Sequence, residues 1–511
     1  MRLPTAIAAV GLLVALALLS AGPSASAGGA STERASIASD GAEADGPSEA
    51  ASVSADGRFV AFASDAANLV ANDTLGARDI FVRDLQAGTT ERISIGTGGA
   101  EANNHSFAPG VSGDGRYVAF ASFASNIVAN DLNGESDIFV YDRTAGTVER
   151  VSVASDGTEG NEESVTPSIS ADGRYVTFTS PANNLVASDT NNDRDVFLHD
   201  RVSSATELIS QASDGTQGNF TSGGFGAGPA RVSEDGQYVV FGSFANNLVA
   251  ADTNGFDDLF VRDRIASTTE RVSVGDDEEE GNEHSLYGSI SDDGRYVAFA
   301  SAADNLVSSD DLGFADIFLR DREAGTTVRL SLAPNASEAN GDSAFAMIAA
   351  DGGSVAFQSD ASNLIAADGN GARDIFRYDL GTGAIGRVSV AGDGAEAHGA
   401  SSFVSTSADG LVTGFQSAAP DLVGGDTLGL VDIFVRIEPA PVSPTPTTSV
   451  GTETPPGGPT PTGTPSAVGL PETGTAADAR ERTAFAPMIV VLVAGVALAG
   501  TALALRARRS S

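Results

Sequence analysis

The chain has 511 residues, 68 acidic against 29 basic, for a formal net charge of -39. Such an excess of negative charge opposes binding to phosphate backbones and excludes nucleic acid as a partner. It contains no cysteine, so disulfides, thiolate metal ligands and thiol nucleophiles are excluded as well.

Residues 1–27 begin with Arg2, run through an apolar stretch at 7–19 and finish on Ala25-Ser26-Ala27. A basic start, a short apolar run and small closing residues define a secretory signal peptide, cut before Gly28. The apolar run is short for an uncleaved anchor.

From residue 31 to residue 436 the chain is a repeat. Asp-Gly pairs begin at Asp56, Asp114, Asp172, Asp235, Asp293, Asp351 and Asp409, at spacings of 58, 58, 63, 58, 58 and 58. Triplets of the Asp-Ile-Phe type, at Asp79, Asp137, Asp195, Asp258, Asp316, Asp374 and Asp432, keep the same spacings. Each unit holds short alternating, β-branched runs, which in the second unit are 111–112, 116–122, 137–142 and 147–153. The Asp-Gly pairs and the Asp142-to-Gly146 stretch are hairpin turns between them. Four strands per unit make a propeller blade. Ser54, Ser112, Ser170 and Ser233 are assigned to the first strands, where small residues suit the crowded centre of a ring. The last-strand element appears first at 32–37, ahead of the first blade, while the seventh unit stops after its third strand. The expected fold is therefore an all-β, seven-bladed propeller closed by its N-terminal strand, which removes free sheet edges.

The run Ser54-Ala55-Asp56-Gly57-Arg58-Phe59-Val60-Ala61-Phe62-Ala63-Ser64, followed by Asp79-Ile80-Phe81-Val82-Arg83-Asp84, resembles the repeat of TolB-like propellers. The resemblance implies the fold; that repeat serves protein-binding modules and also the non-catalytic propellers of peptidases. No Gly-x-Ser-x-Gly elbow in a hydrolase-sized domain follows the repeats here, and no catalytic residue is singled out.

Blade geometry puts the loops between second and third strands on the same face as the inter-blade connections. Each of those loops carries two aspartates six apart, Asp73/Asp79 in the first blade. In the third, Asp189, Asn191, Asp193 and Asp195 offer oxygens at alternate positions, as Ca²⁺ requires, although Arg194 stands where an EF-hand has glycine. The other reading is that these carboxylates cap backbone amides in seven equivalent turns, and repetition in every blade favours architecture. Features present once are better candidates for partner contact: Phe220 and Phe225 within the five-residue excess at 220–228, and Asp276 and Glu278 within the acidic run 276–280. Both are placed in inter-blade connections on the long-loop face. The four histidines, His105, His199, His284 and His398, are too widely separated around a ring to share one ion.

Residues 437–469 are rich in Pro, Thr, Ser and Gly, a linker that buries no core; some thirty residues extended at about 3.1 Å each reach about 90 Å. Residues 485–505 are uncharged and long enough to span a membrane, with Arg506, Arg508 and Arg509 marking the cytoplasmic side. Together with Leu470-Pro471-Glu472-Thr473-Gly474 this end resembles the sorting signal of Gram-positive surface proteins. The resemblance implies cleavage after Thr473 by sortase and transfer to a cell-wall precursor. The spacer 475–484, with Asp478, Arg480, Glu481 and Arg482, is longer and more charged than that family's pattern. The chain has no lysine, which speaks against a sortase-polymerised shaft. The function expected is a surface-displayed, monomeric propeller that binds an extracellular protein or glycan. The rivals are an extracellular carboxylate-based lyase or hydrolase and a structural envelope component.

Overall fold

The structure, a computed structural model, describes residues 29–224 and 226–440. The signal peptide, Phe225, residues 441–469 of the linker, the Leu470-to-Gly474 motif and the apolar segment 485–505 lie outside them.

Every regular element of the described residues is a β-strand, and the strands form seven four-stranded sheets. Six blades are consecutive in sequence, from Ser48–Arg92 in the first to Ser343–Arg387 in the sixth. The seventh takes Ser401–Thr406, Val412–Ser417 and Asp432–Ile437 and is completed by the N-terminal strand Ser31–Arg34, with Ser31 opposite Ile437 and Arg34 opposite Phe434. The ring closes between blades seven and one, where Ala408 N–H donates to the Ala55 carbonyl (3.0 Å) and Ala50 N–H to Gln416 Oε1 (3.1 Å). This is the closure expected from the displaced first strand.

The turn chemistry explains why the Asp-Gly signal is so regular. Ser54 Oγ donates to Asp56 Oδ1 (2.5 Å) and accepts from Phe59 N–H (2.9 Å), while Asp56 Oδ1 accepts from Arg58 N–H (3.0 Å). Ser54, Ser112, Ser170 and Ser233 thus cap these turns and stand just beyond the inner strands, not within them. In the second blade the inner strand is Ser106–Val111, lying before rather than at 111–112. Its alternation is hidden by a bulge, which moves the following side chains to the other face.

Packing between blades is built from cross-strand phenylalanine pairs. Phe62 and Phe81 lie opposite one another with ring centroids 5.8 Å apart, both fully buried, and every blade has the equivalent pair. On the tight-turn face, Phe59 rests on Gly115 of the next blade's turn, where φ is +71° and a Cβ would overlap the ring. Arg58 (4.7 Å) and Arg143 of the next blade (4.3 Å) cover its two sides. Tyr117 and Tyr175 are held in the same way, each adding a cation–π contact between neighbouring blades.

Candidate functional site

The paired aspartates meet on the rim of the long-loop face, but around an arginine. Arg92, at the end of the outermost strand of blade one, places Nη1 3.4 Å from Asp73 Oδ1, 3.2 Å from Asp79 Oδ2 and 3.3 Å from Glu101 Oε1. Glu101 belongs to the following linker and also accepts from Thr74 N–H (2.8 Å) and Leu75 N–H (2.9 Å), so it ties the linker to the loop. Asp79 accepts the Ser94 hydroxyl. Equivalent arrangements surround Arg150, Arg271, Arg329, Arg387 and, at the ring closure, Arg34.

The carboxylate oxygens of five of these groups lie close enough together to hold a metal ion, yet a guanidinium already supplies the positive charge there. Burial pushes Asp137 up to about 6 despite hydrogen bonds from Ser152 and Arg150. Glu101 behaves oppositely: burial raises it, but the N–H groups of Leu75 and Thr74, the Thr74 hydroxyl and Arg92 hold it at about 2. In each of these centres the aspartates face an arginine. They form ion-pair centres whose arginine, serine and glutamate recur 13, 15 and 22 residues after the second aspartate, as Arg92, Ser94 and Glu101 follow Asp79.

Blade three departs from this pattern. Leu208 stands in the arginine position and Gln217 in the glutamate position. Gln217 Nε2 donates to Asp189 Oδ1 (2.9 Å) and Asp195 Oδ2 (2.8 Å), and its Oε1 accepts from Thr190 N–H (2.9 Å). Burial raises both aspartates, Asp195 to about 6, against hydrogen bonds from Gln217 and, at Asp195, Ser210. Of the four residues expected to ligate Ca²⁺, Asp189 and Asp195 come together through this amide. Asn191 donates Nδ2 to the Gly218 carbonyl (2.8 Å) and also to Asp195, while its Oδ1 accepts from Asp193 N–H (2.8 Å). Two amides thus offer donors to carboxylates where Ca²⁺ needs acceptors.

The acidic run at 276–280 is engaged with its own blade pair. Asp276 Oδ1 accepts from Thr327 N–H (2.8 Å), Glu278 pairs with Arg320, and Glu280 belongs to the Arg271 centre. An open groove of about 860 Å³ runs beside it, lined by Asp277, Glu279, Ser309, Arg329 and Glu338 among others. The histidines make separate local contacts: His105 Nδ1 accepts from Arg78 N–H (2.9 Å), His284 does the same for Asp257, His199 meets Thr206 on the neighbouring strand and His398 pairs with Asp421.

The five-residue excess is not in an inter-blade connection. Ser222 meets Ser243 (2.8 Å) as Ser106 meets Ser122, so the extra residues follow Ser222 and interrupt the innermost strand of blade four, leaving a bridge at Ser222–Ser243 and the two-residue strand Arg231–Val232. Inner strands border the central channel, and the excess falls on their long-loop half.

That half of the channel is where seven-fold regularity breaks. The inner-strand bulges put non-glycine residues at positive φ: Ala50 (58°), Ala108 (50°) and Thr166 (52°) on one arc, Tyr287 (56°), Phe345 (55°) and Phe403 (53°) on the other. Each such position costs about 1–3 kcal/mol, which the surrounding sheet must hold. The aromatic three form a continuous stack, Tyr287 and Phe345 at 4.0 Å and 24°, Phe345 and Phe403 at 4.8 Å and 58°. Gln358 Oε1 accepts from Phe403 N–H (3.1 Å), fixing the bulge. On the other arc, Glu49 is raised by burial against the attraction of Arg78, which bridges it (3.0 Å) to Asp65 (2.8 Å). Phe107 packs on Phe123, and Phe220 meets Phe244 edge-to-face at 6.0 Å, both of the latter exposed. This mouth offers stacking surface and a few charges. Tyr287, Phe345, Phe403 and Glu49 escaped the sequence reading, although the change from alanine to aromatic at one repeat position is visible there.

Fold and sites together define a seven-bladed β-propeller with arginine-centred blade junctions. No family model and no curated protein matches the chain. Among solved structures it is similar to TolB from Acinetobacter baumannii, at 13% identity and a TM-score of 0.36 over 66% of this chain and 62% of that one. It is also similar to the β-propeller domain of the Trilobed protease from Pyrococcus furiosus, at 13% identity and a TM-score of 0.46 over 77% and 94%. An oligogalacturonate lyase in complex with manganese superposes at 13% identity and a TM-score of 0.46 over 81% and 97%. Likeness at this level extends no further than the propeller fold.

Proposed function

We propose that this chain is a binding propeller displayed outside the cell, held by its C-terminal signal and span, which receives its ligand at the channel mouth on the long-loop face. The observation that carries the binding half is the contrast between rim and mouth. Rim carboxylates recur blade after blade and are internally paired, whereas the mouth alone combines an aromatic stack on strained backbone with a different opposite arc. The strained position itself recurs in six blades; what sets the mouth apart is that three of those positions carry aromatic rings that stack. The display half rests on the order of residues along the chain: signal peptide, propeller, extended linker, Leu470-to-Gly474 and the 485–505 span.

The test is a peptide and glycan array probed with the full chain as wild type, Phe345→Ala and Asp277→Asn. Alanine is the residue found at the equivalent positions 50 and 108, so Phe345→Ala is expected to fold. Ligands whose signal falls at least about ten-fold with Phe345→Ala, as expected for losing a buried aromatic contact, and is kept with Asp277→Asn support the mouth. Ligands that respond only to Asp277→Asn would move the site to the rim groove. Antibody labelling of the propeller on intact cells reads the display half in the same strains.

A further inference from the structure

We propose that Arg231 is the receptor for a carboxylate, so that the ligand taken at the channel mouth is a small monocarboxylate with an apolar or ring body; this rests on the reading of the mouth given above. Every other arginine among the described residues has an ion-pair or hydrogen-bond partner, including those that pair only with neutral groups, such as Arg262, and Arg377, which lies 3.8 Å from Asp379. The side chain of Arg231 has no hydrogen-bond, ion-pair or ring partner among them. It sits on the innermost strand, half-buried, directly after the excess residues that make blade four unlike the rest. Burial pushes its guanidinium down to about 10, with no neighbouring carboxylate raising it. In a protein with 68 acidic residues, a half-buried cation left without one is an unmet demand for an anion.

The repeat shows that no structural role requires arginine at this place. The equivalent residues are Ser52, Gly110, Ser168, Ser289, Met347 and Ser405. Ser52 accepts from Val111 N–H (3.2 Å) and Ser289 from Ile348 N–H (2.9 Å), each across to the inner strand of the next blade.

The class of anion follows from charge and neighbours. A polyanion would be repelled by the acidic surface, whereas a single carboxylate matches the fork of a guanidinium. Three residues before Arg231, Gly228 lies against the Tyr287 ring, and the Ala227 carbonyl accepts from Tyr287 N–H (3.0 Å). Three residues span at most about 11 Å. A ligand of modest length can therefore place its carboxylate at Arg231 and its apolar part on the stack of Tyr287, Phe345 and Phe403.

The experiment measures binding of 4-phenylbutyrate, of its neutral amide and of inorganic phosphate to the full chain in detergent, as wild type, Arg231→Ser and Phe345→Ala. Serine is the repeat's own residue, so Arg231→Ser is expected to fold. The acid should bind wild type about ten- to a hundred-fold more tightly than the amide, the range of one charged hydrogen-bonded pair. Arg231→Ser should abolish that preference while leaving amide binding unchanged, and Phe345→Ala should weaken both. Equal binding of acid and amide, or a preference that survives Arg231→Ser, overturns the role of Arg231 while leaving the mouth as the site if Phe345→Ala still weakens both. Displacement by phosphate as strong as by 4-phenylbutyrate overturns the carboxylate class. Absence of saturable binding, or insensitivity to Phe345→Ala, overturns the mouth itself.

Discussion

Replacing Arg150 by leucine is expected to destabilise the propeller by about 3–5 kcal/mol, because it strands buried carboxylates without their cation. Asp137 is fully buried and Arg150 and Glu159 nearly so, so solvent can do little to screen what remains. Adding Glu159→Gln to the same molecule should recover most of the loss. Blade three already contains that combination, Leu208 with Gln217, and there the glutamine amide donates to both aspartates. Glu159→Gln alone should cost about 1 kcal/mol, since Arg150 still faces two carboxylates. Chemical denaturation of the four proteins gives the coupling directly. Additive losses would show that the two replacements in blade three are independent accidents rather than one exchange of an ion-pair centre for a neutral one.

The N-terminal strand carries the other large effect. Deleting 29–37 removes the fourth strand of blade seven together with Arg34, which lies 3.0 Å from Glu43, 3.5 Å from Asp426 and 3.7 Å from Asp432. It also removes Ser36, which donates to Asp432 Oδ1 (2.6 Å). The strand Asp432–Ile437 would become a free edge beside uncompensated carboxylates. The expected result is a loss of about 5 kcal/mol or more, with aggregation on warming, and partial recovery when a peptide of residues 29–40 is added. An unchanged melting temperature would mean that the ring is held shut by packing of blade one on blade seven alone.

These two effects also mark what could be read from the residues. Seven units, their four strands and the circular closure were legible because Asp-Gly turns and Asp-Ile-Phe triplets are local and repeat at fixed spacing. The inner strands were misplaced because a bulge at Ala50, Ala108 and their equivalents breaks the alternation that marks a strand. The aspartate pairs were recognised as one device, but their cation was not: Arg92 lies 13 residues from Asp79 across a hairpin, and only the fold brings it back. The same holds for the excess in blade four, whose residues fall within an inner strand rather than a connection because Ser222 pairs with Ser243. At the mouth, Phe220 was singled out as unique, whereas Tyr287, Phe345 and Phe403 hid within a repeat position and became a set only when their rings met.

The claim on which the rest depends is that the rim carboxylates are architecture, with arginine as their resident cation, and that ligand recognition belongs to the mouth. Thermal unfolding of the chain in millimolar CaCl₂ and in EDTA tests this most directly. The account predicts the same melting temperature in both, because at six of the seven sites a guanidinium occupies the position a metal would take and at the seventh an amide donates to both carboxylates. A saturable rise with Ca²⁺, reversed by EDTA, would contradict it and make the rim the functional surface.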